Sequence, residues 1–164
     1  MTYLIESYDP IKHEIVDSWI LEDKYINAKQ INEFAFFNEP ISTNYNYILN
    51  NPYEMANIKS FIKVFKSDKT IVGVVVFHYY NDNDKFYLGI NPLVVNPDMM
   101  NRGIGKSILN QIIKNSKIIC GGEVNYIKAL SEKKNIVSLK LLERAGFKKE
   151  EADKNFISYI YNIK

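Results

Sequence analysis

Cysteine is nearly absent from this chain. Its one thiol, Cys120, cannot close a disulfide within the molecule, so a secreted scaffold stapled by bridges is excluded and a reducing compartment is expected. An excess of charge of one sign is missing too. Lys and Arg number 21 against 19 Asp and Glu, a net of +2, too balanced to grip nucleic acid or a membrane surface by bulk charge. No stretch approaches the roughly 20 consecutive apolar residues that a spanning helix needs. The first ten residues carry Glu6 and Asp9 instead of a basic region followed by an apolar one, so the expected location is the cytoplasm. Internal repeats, linkers and a second-domain boundary are lacking as well, and residues 1–164 read as a single domain. The polar run Asn81-Asp82-Asn83-Asp84 lacks the glycine and closing glutamate of a twelve-residue calcium loop. It reads as a hairpin turn, and no metal is expected.

What is present is apolar surface: 46% hydrophobic and 13% aromatic residues exclude a disordered chain and suffice for a large core at this length. Residues 3–8 read as a short strand. Asp9-Pro10 is a helix-start signal, and Ile11, Ile15, Val16, Trp19 and Ile20 follow at helical spacing, predicting a helix to about residue 22 with Trp19 inside and His13 on the solvated side. A second helix is expected over residues 28–37. The Asn-, Pro- and Tyr-rich residues 39–53 read as an aromatic loop.

Residues 61–66 and 70–80 form a hairpin pattern around Ser67-Asp68-Lys69. Its second arm is apolar almost without interruption from Ile71 to Phe77, so both faces are to be covered, as in a central strand. Residues 86–95 make another strand. A helix follows from about Gly103, in which Ile104, Ile108 and Ile112 recur at helical spacing; then come a break at Gly121-Gly122, a strand over 124–130 and a helix over 135–145 closed by Gly146. Residues 147–151 and 156–163 close the chain as two strands around Asp153-Lys154-Asn155. Three antiparallel strands before a helical crossover make the sheet mixed, and a doubly wound dinucleotide fold is disfavoured. That fold would also put Gly-x-Gly-x-x-Gly after the first strand, with an acidic residue about 20 positions on. Neither condition is met.

The stretch from Leu93 to Ser107 carries the chemistry. A buried strand end is stopped by Pro97, and a loop with Asn101, Arg102 and Gly103 opens a helix at Ile104-Gly105-Lys106. Backbone N–H groups and the helix dipole would face that loop, which makes it a site for an anion.

Two separated segments resemble the GNAT superfamily of acyl-CoA-dependent N-acetyltransferases. Leu93-Val94-Val95-Asn96-Pro97 through Gly103-Ile104-Gly105 is similar to the family's strand, Val-x-Pro and Arg/Gln-x-x-Gly-x-Gly/Ala pattern. Asn135-x-x-Ser138 through Gly146-Phe147 is similar to its second cofactor-contacting helix and Gly-Phe ending. The resemblance spans nearly the whole chain. It implies an α+β fold layered α/β/α, with a mixed, mostly antiparallel sheet of six to seven strands, flanking helices and a splayed cofactor cleft.

It also implies acetyl-CoA as co-substrate. The pantetheine arm would lie like an added strand against Leu93, Val94 and Val95, and the pyrophosphate against the main chain of Asn101, Arg102, Gly103, Ile104, Gly105 and Lys106. Asn135 and Ser138 would stand on the opposite wall. Met100 occupies a place where the family usually has Arg or Gln, and Asn101 one where many members have Gly; Asn best tolerates the left-handed angles required there.

Direct attack of an amine on the thioester is implied, with the main chain near Val95 as oxyanion donor. The tyrosine that many members use to protonate the leaving thiolate is Leu142 here, and the glutamate some carry on the preceding strand is Gly89. Tyr87 and Glu132 are the candidate proton-handling groups, with Glu33 and His78 beside them. The expected partner is a small-molecule or peptide amine, for a monomer or homodimer, with no nucleic acid and no membrane. The alternative is a GNAT-fold module that binds or senses acyl-CoA with little or no transfer, motivated by Leu142 and Gly89.

Overall fold

A computed structural model of the chain describes residues 2–19, 41–50 and 57–164. Strand β3 (Thr70–Asp82) contains the unbroken apolar run and lies inside a seven-stranded sheet. The other strands are β1 (Leu4–Ser7), β2 (Ile58–Ser67), β4 (Lys85–Val95), β5 (Tyr126–Glu132), β6 (Lys148–Ala152) and β7 (Phe156–Asn162), in the order β1-β2-β3-β4-β5-β7-β6. All neighbours are antiparallel except β4 and β5, so the sheet is mixed, as the element order requires. Two-residue turns join β2 to β3 and β3 to β4. In the second, Asn83 and Asp84 both take positive φ, 50° and 61°, the hairpin geometry that short polar side chains tolerate.

Alternation along β3 sorts its side chains into two cores. Val75 and Phe77 face the cluster that includes Leu88, Ile90, Ile108 and Ile112. That layer is covered by α2 (Ile104–Cys120) and α3 (Ile136–Arg144). Val74 and Val76 face the opposite cluster with Val16, Trp19 and Ile41, beneath a short 3-10 helix (Glu14–Ser18) and α1 (Ile41–Asn50). Helices therefore lie on both faces.

The N-terminal region departs from the expected helix. Only the 3-10 turn forms before the described residues pause at Trp19, which is buried as expected, but Ile11 and Ile15 are exposed. The helical spacing of those two isoleucines is coincidental. Asp9 instead caps a tight turn, its carboxylate accepting from the N–H groups of Ile11 and Lys12 at 2.8 and 2.9 Å. His13, expected in solvent, is fully buried. Its Nδ1 accepts from Asp9 N–H at 2.9 Å and its Nε2 lies 3.2 Å from Glu6, so two hydrogen bonds satisfy the ring.

The expected aromatic loop is likewise partly a helix. Over Ile41–Asn50 the side chains of Ile41, Tyr45 and Ile48 fall on one stripe that packs on the second core, and Asp17 accepts from Ser42 N–H at 2.9 Å in the first turn. Residues 28–37, where a further helix is expected, and Glu33 lie outside the described residues.

Two consequences are measurable. A Cβ on Gly73 would collide with Ile108 Cδ1 and come within 3.1 Å of the Val94 carbonyl oxygen, so the missing side chain sets how closely α2 sits on the sheet. Gly73→Ala should lower stability by about 1–3 kcal/mol in chemical denaturation, and Ile108→Val should cost less in that background than in the wild type.

Hydrogen bonds from Lys12, and then from His13 and Lys66, hold the Glu6 carboxyl down at about 2. A carboxyl depressed in the folded state stabilises it above the unfolded value of about 4.3, and that contribution fades as pH falls toward 2. The difference in urea midpoint between wild type and Glu6→Gln should therefore be constant above about pH 5 and shrink below about pH 4.3.

Candidate functional site

The site begins with an incomplete ladder. β4 and β5 pair only over Tyr87–Ile90 and Tyr126–Ala129. Beyond Ile90 the β3–β4 register shifts: Val75 opposes Leu93 whereas Phe77 opposes Ile90, so β4 carries one extra residue, at Asn91-Pro92, opposite Val76. This is a β-bulge, and such a bulge bends its strand. Pro92 has no N–H to offer β5, and the peptide bond before it is cis. From here β4 diverges from β5.

The divergence turns the main chain of β4 into an open edge. Asn96 N–H bonds the Val72 carbonyl at 2.9 Å, toward β3. Alternation then directs the N–H groups of Val95 and Leu93 the other way, toward the gap, where β5 no longer provides a partner. An extended ligand could add to this edge as a strand does.

The gap is a cleft with a volume of about 90 Å3, suited to a thin chain rather than a ring system. Leu93, Val95 and Ile90 line one wall, and Ala129 and Leu130 the facing strand. Gly105 and Leu109 of α2, with Val137, Ser138, Leu141 and Leu142 of α3, close the helical side. Gly105 matters by what it omits: a Cβ there would sit 3.5 Å from both Leu141 Cδ2 and Val95 Cγ2, and anything longer would enter the cleft. Ser138 is the lining hydroxyl. Its N–H is taken by the Asn135 side chain at 3.1 Å, so buried Asn135 caps α3 and fixes the wall.

At the mouth stands the N-terminus of α2. Asn96 holds the approach, donating to the Ile71 carbonyl at 2.8 Å and accepting from Asp98 N–H at 3.0 Å, while Pro97–Met99 makes a single 3-10 turn. Asn101 takes φ 62° and Gly103 φ 76°, which turns the chain into the helix. The first intrahelical bond runs from Ser107 N–H to the Gly103 carbonyl at 3.0 Å, so the N–H groups of Ile104, Gly105 and Lys106 have no intrahelical acceptor. Arg102 and Lys106 are exposed beside them. Donors, dipole and two cations together suit a phosphate-bearing group.

The expected cofactor residues thus divide. Leu93, Val95, Gly105 and Ser138 meet in the cleft, and Asn101, Arg102, Gly103 and Lys106 gather at its mouth. Val94 points its side chain into the opposite core, and the Ile104 side chain is buried beneath the helix. Tyr87 and Glu132 do not line the cleft. Tyr87 stacks between Tyr80 and Tyr126, at 5.1 and 5.3 Å, on the sheet face away from α2, and Glu132 ends β5 beside Lys134 at 3.1 Å. Cys120 ends α2, far from the mouth in sequence; burial raises its thiol pKa, and its Sγ donates toward the Gly122 carbonyl at 3.4 Å. Sequence reasoning missed the bulge and the apolar helical wall. Pro92 inside an otherwise regular strand was the available signal.

Comparison with known proteins agrees with this geometry. The family model described as Acetyltransferase (GNAT) family matches residues 20–147. Among solved structures, the N-acetyltransferase PseH of Campylobacter jejuni superposes over 100% of both chains at 20% identity and a TM-score of 0.67. The same protein in complex with acetyl coenzyme A covers 98% of this chain and 100% of its own at 22% identity and a TM-score of 0.61. Spermidine N-acetyltransferase of Vibrio cholerae, in complex with CoA and spermine, covers 99% and 96% at 12% identity and a TM-score of 0.67. At these identities the likeness is one of fold. No protein of curated function matches the sequence. Among the described residues no group of His, Cys, Asp and Glu is arranged to hold a metal, and no helix is long and apolar enough to cross a membrane.

The cleft gives a direct test. Gly105→Glu should place a carboxylate between Val95 and Leu141, weaken CoA binding in calorimetry by at least about 100-fold and leave the circular dichroism spectrum unchanged.

Proposed function

Because the chain belongs to the GNAT acetyltransferase family, we propose that it transfers the acetyl group of acetyl-CoA directly to a primary amine. The observation that carries this reading is the splayed edge of β4, with the Leu93 and Val95 N–H groups turned into a thin cleft that leads to the N-terminus of α2. Acetyl-CoA supplies an activated thioester, and the chain supplies the surroundings.

Leu93 and Val95 would receive the pantetheine amides, Ser138 and Asn135 would form the facing wall, and the α2 N-terminus with Arg102 and Lys106 would hold the pyrophosphate. Main-chain donors do most of this, which is how a chain of net +2 binds a highly anionic co-substrate. The Val95 N–H is also the donor placed to stabilise the oxyanion of an attacked thioester, in a setting where apolar Leu109, Leu141 and Leu142 exclude water. The acceptor is a small amine, a peptide N-terminus or a lysine side chain.

A second reading keeps the binding and drops the transfer. It is favoured by Leu142, which lines the cleft without a proton to give the leaving sulfur. The two readings separate in one assay: thiol release from acetyl-CoA across spermidine, tyramine, glucosamine, lysine amide and an N-terminal tripeptide, with CoA affinity measured in parallel. Turnover of one of these amines above the buffer rate is expected. CoA binding with no turnover of any of them would favour the binding module.

A further inference from the structure

On the sheet face turned away from α2 and α3, one row of residues crosses the strands where the cleft begins. His78 of β3 is in register with Gly89 of β4, and Gly89 with Lys128 of β5; the next pair, Ile90 with Ala129, is the last before β4 and β5 part. Gly89 contributes no side chain, so the row is a shallow floor with His78 on one side and Lys128 on the other. Neighbouring strands are about 4.8 Å apart, which puts both flanking residues one strand spacing from the floor. The helical side of the cleft is closed by Leu109, Leu141 and Leu142. Among the described residues, the side left for an acceptor to approach the point where β4 and β5 part is the floor.

Among the described residues, the charged and titratable groups facing His78 are few. On β2, Ser60 Oγ lies 2.7 Å from its Nδ1. On β3 itself Tyr80 follows on the same face, with its phenol raised by burial, and on β4 Tyr87 stacks against Tyr80. On β5, Lys128 is held charged by Glu150, 3.0 Å away, and lies 5.1 Å over the Tyr87 ring. A phenol keeps its proton at neutral pH, and a paired ammonium has no lone pair to offer. The imidazole differs. It is half-buried, and burial lowers its pKa, so it stands neutral with a lone pair, while a hydrogen bond with the Asn91 main chain favours its protonated form. Asn91 itself lines the cleft at the bulge.

Resting on the acetyl-transfer reading above, we infer that His78 is the proton acceptor for the incoming amine, with Ser60 as the residue that positions its ring. An ammonium loses two protons as it becomes an amide. One passes to His78 before attack, which frees the nitrogen lone pair. The N–C bond then forms, the C–S bond of the thioester breaks, and the second proton ends on the leaving sulfur as CoA–SH. His78 returns its proton to solvent after product leaves.

The test compares wild type, His78→Gln and Ser60→Ala, using whichever amine of the panel above turns over fastest. His78→Gln should lower kcat by at least about 100-fold, keep CoA affinity within threefold and abolish an acid limb of kcat that lies below about pH 6.5 in the wild type. Ser60→Ala should keep part of the rate and displace that limb. The ring of His78, followed by NMR without any ligand, should titrate below about 6.5 and move in Ser60→Ala. A His78→Gln enzyme with kcat within threefold of wild type, or with the limb unchanged, would overturn the assignment and leave the transferase reading standing. A wild type that binds CoA but turns over no amine would remove both. Should His78→Gln fail to fold, a ring that titrates above 6.5, or a Ser60→Ala limb identical to that of the wild type, is sufficient to reject it.

Discussion

The molecule depends on a ladder that stops. β4 and β5 are joined through four residue pairs and then separate, because the bulge at Asn91-Pro92 bends one strand and removes a donor from it. Two main-chain donors that β5 leaves without a strand partner are costly inside a folded protein unless something accepts from them. Here they open onto a cleft whose other walls are apolar and whose mouth is a helix N-terminus. The sheet therefore stores an unfilled strand position, and a linear ligand with amide groups is the chemistry that fills one.

Everything near that gap holds the two sides apart at a fixed separation. Gly73 lets α2 settle against the sheet, with Ile108 fully buried over it, and Asn135 caps α3 so that Ser138 faces the gap. Asn96 ties the loop back to β3 through Ile71. These restraints act through backbone and packing, so they tolerate the unusual residues in the loop. Met100 brings no charge or hydrogen-bond donor to that loop, but the N–H groups that open α2 remain.

Much of this was legible in the sequence for reasons of local chemistry. The two turns flanking β3 are written in Asp68 and in Asn83-Asp84, the only types of non-glycine residue that readily accept the positive φ seen there. The αL positions at Asn101 and Gly103 and the cap at Asn135 are equally local. What failed to show was tertiary. Asp9-Pro10 reads as a helix start, yet Asp9 spends its carboxylate on a tight turn that presents His13 to Glu6 in the interior. Ile41–Asn50 reads as part of an aromatic loop, because only Ile41, Tyr45 and Ile48 meet the core and a narrow stripe among asparagines has little periodic signal. His78 stood among the candidate proton-handling residues, but its surroundings were similarly hidden. His78, Gly89 and Lys128 come together only through strand register, which no single stretch of sequence encodes.

The most direct measurement is amide hydrogen exchange at Leu93 and Val95 with and without CoA. If the ligand takes the place of the missing strand, both amides should slow by at least about tenfold on binding, while the β3-directed amide of Val94 stays unchanged. CoA binding at saturation that leaves the Leu93 and Val95 amides at their free rates would contradict the use of β4 as the cofactor edge.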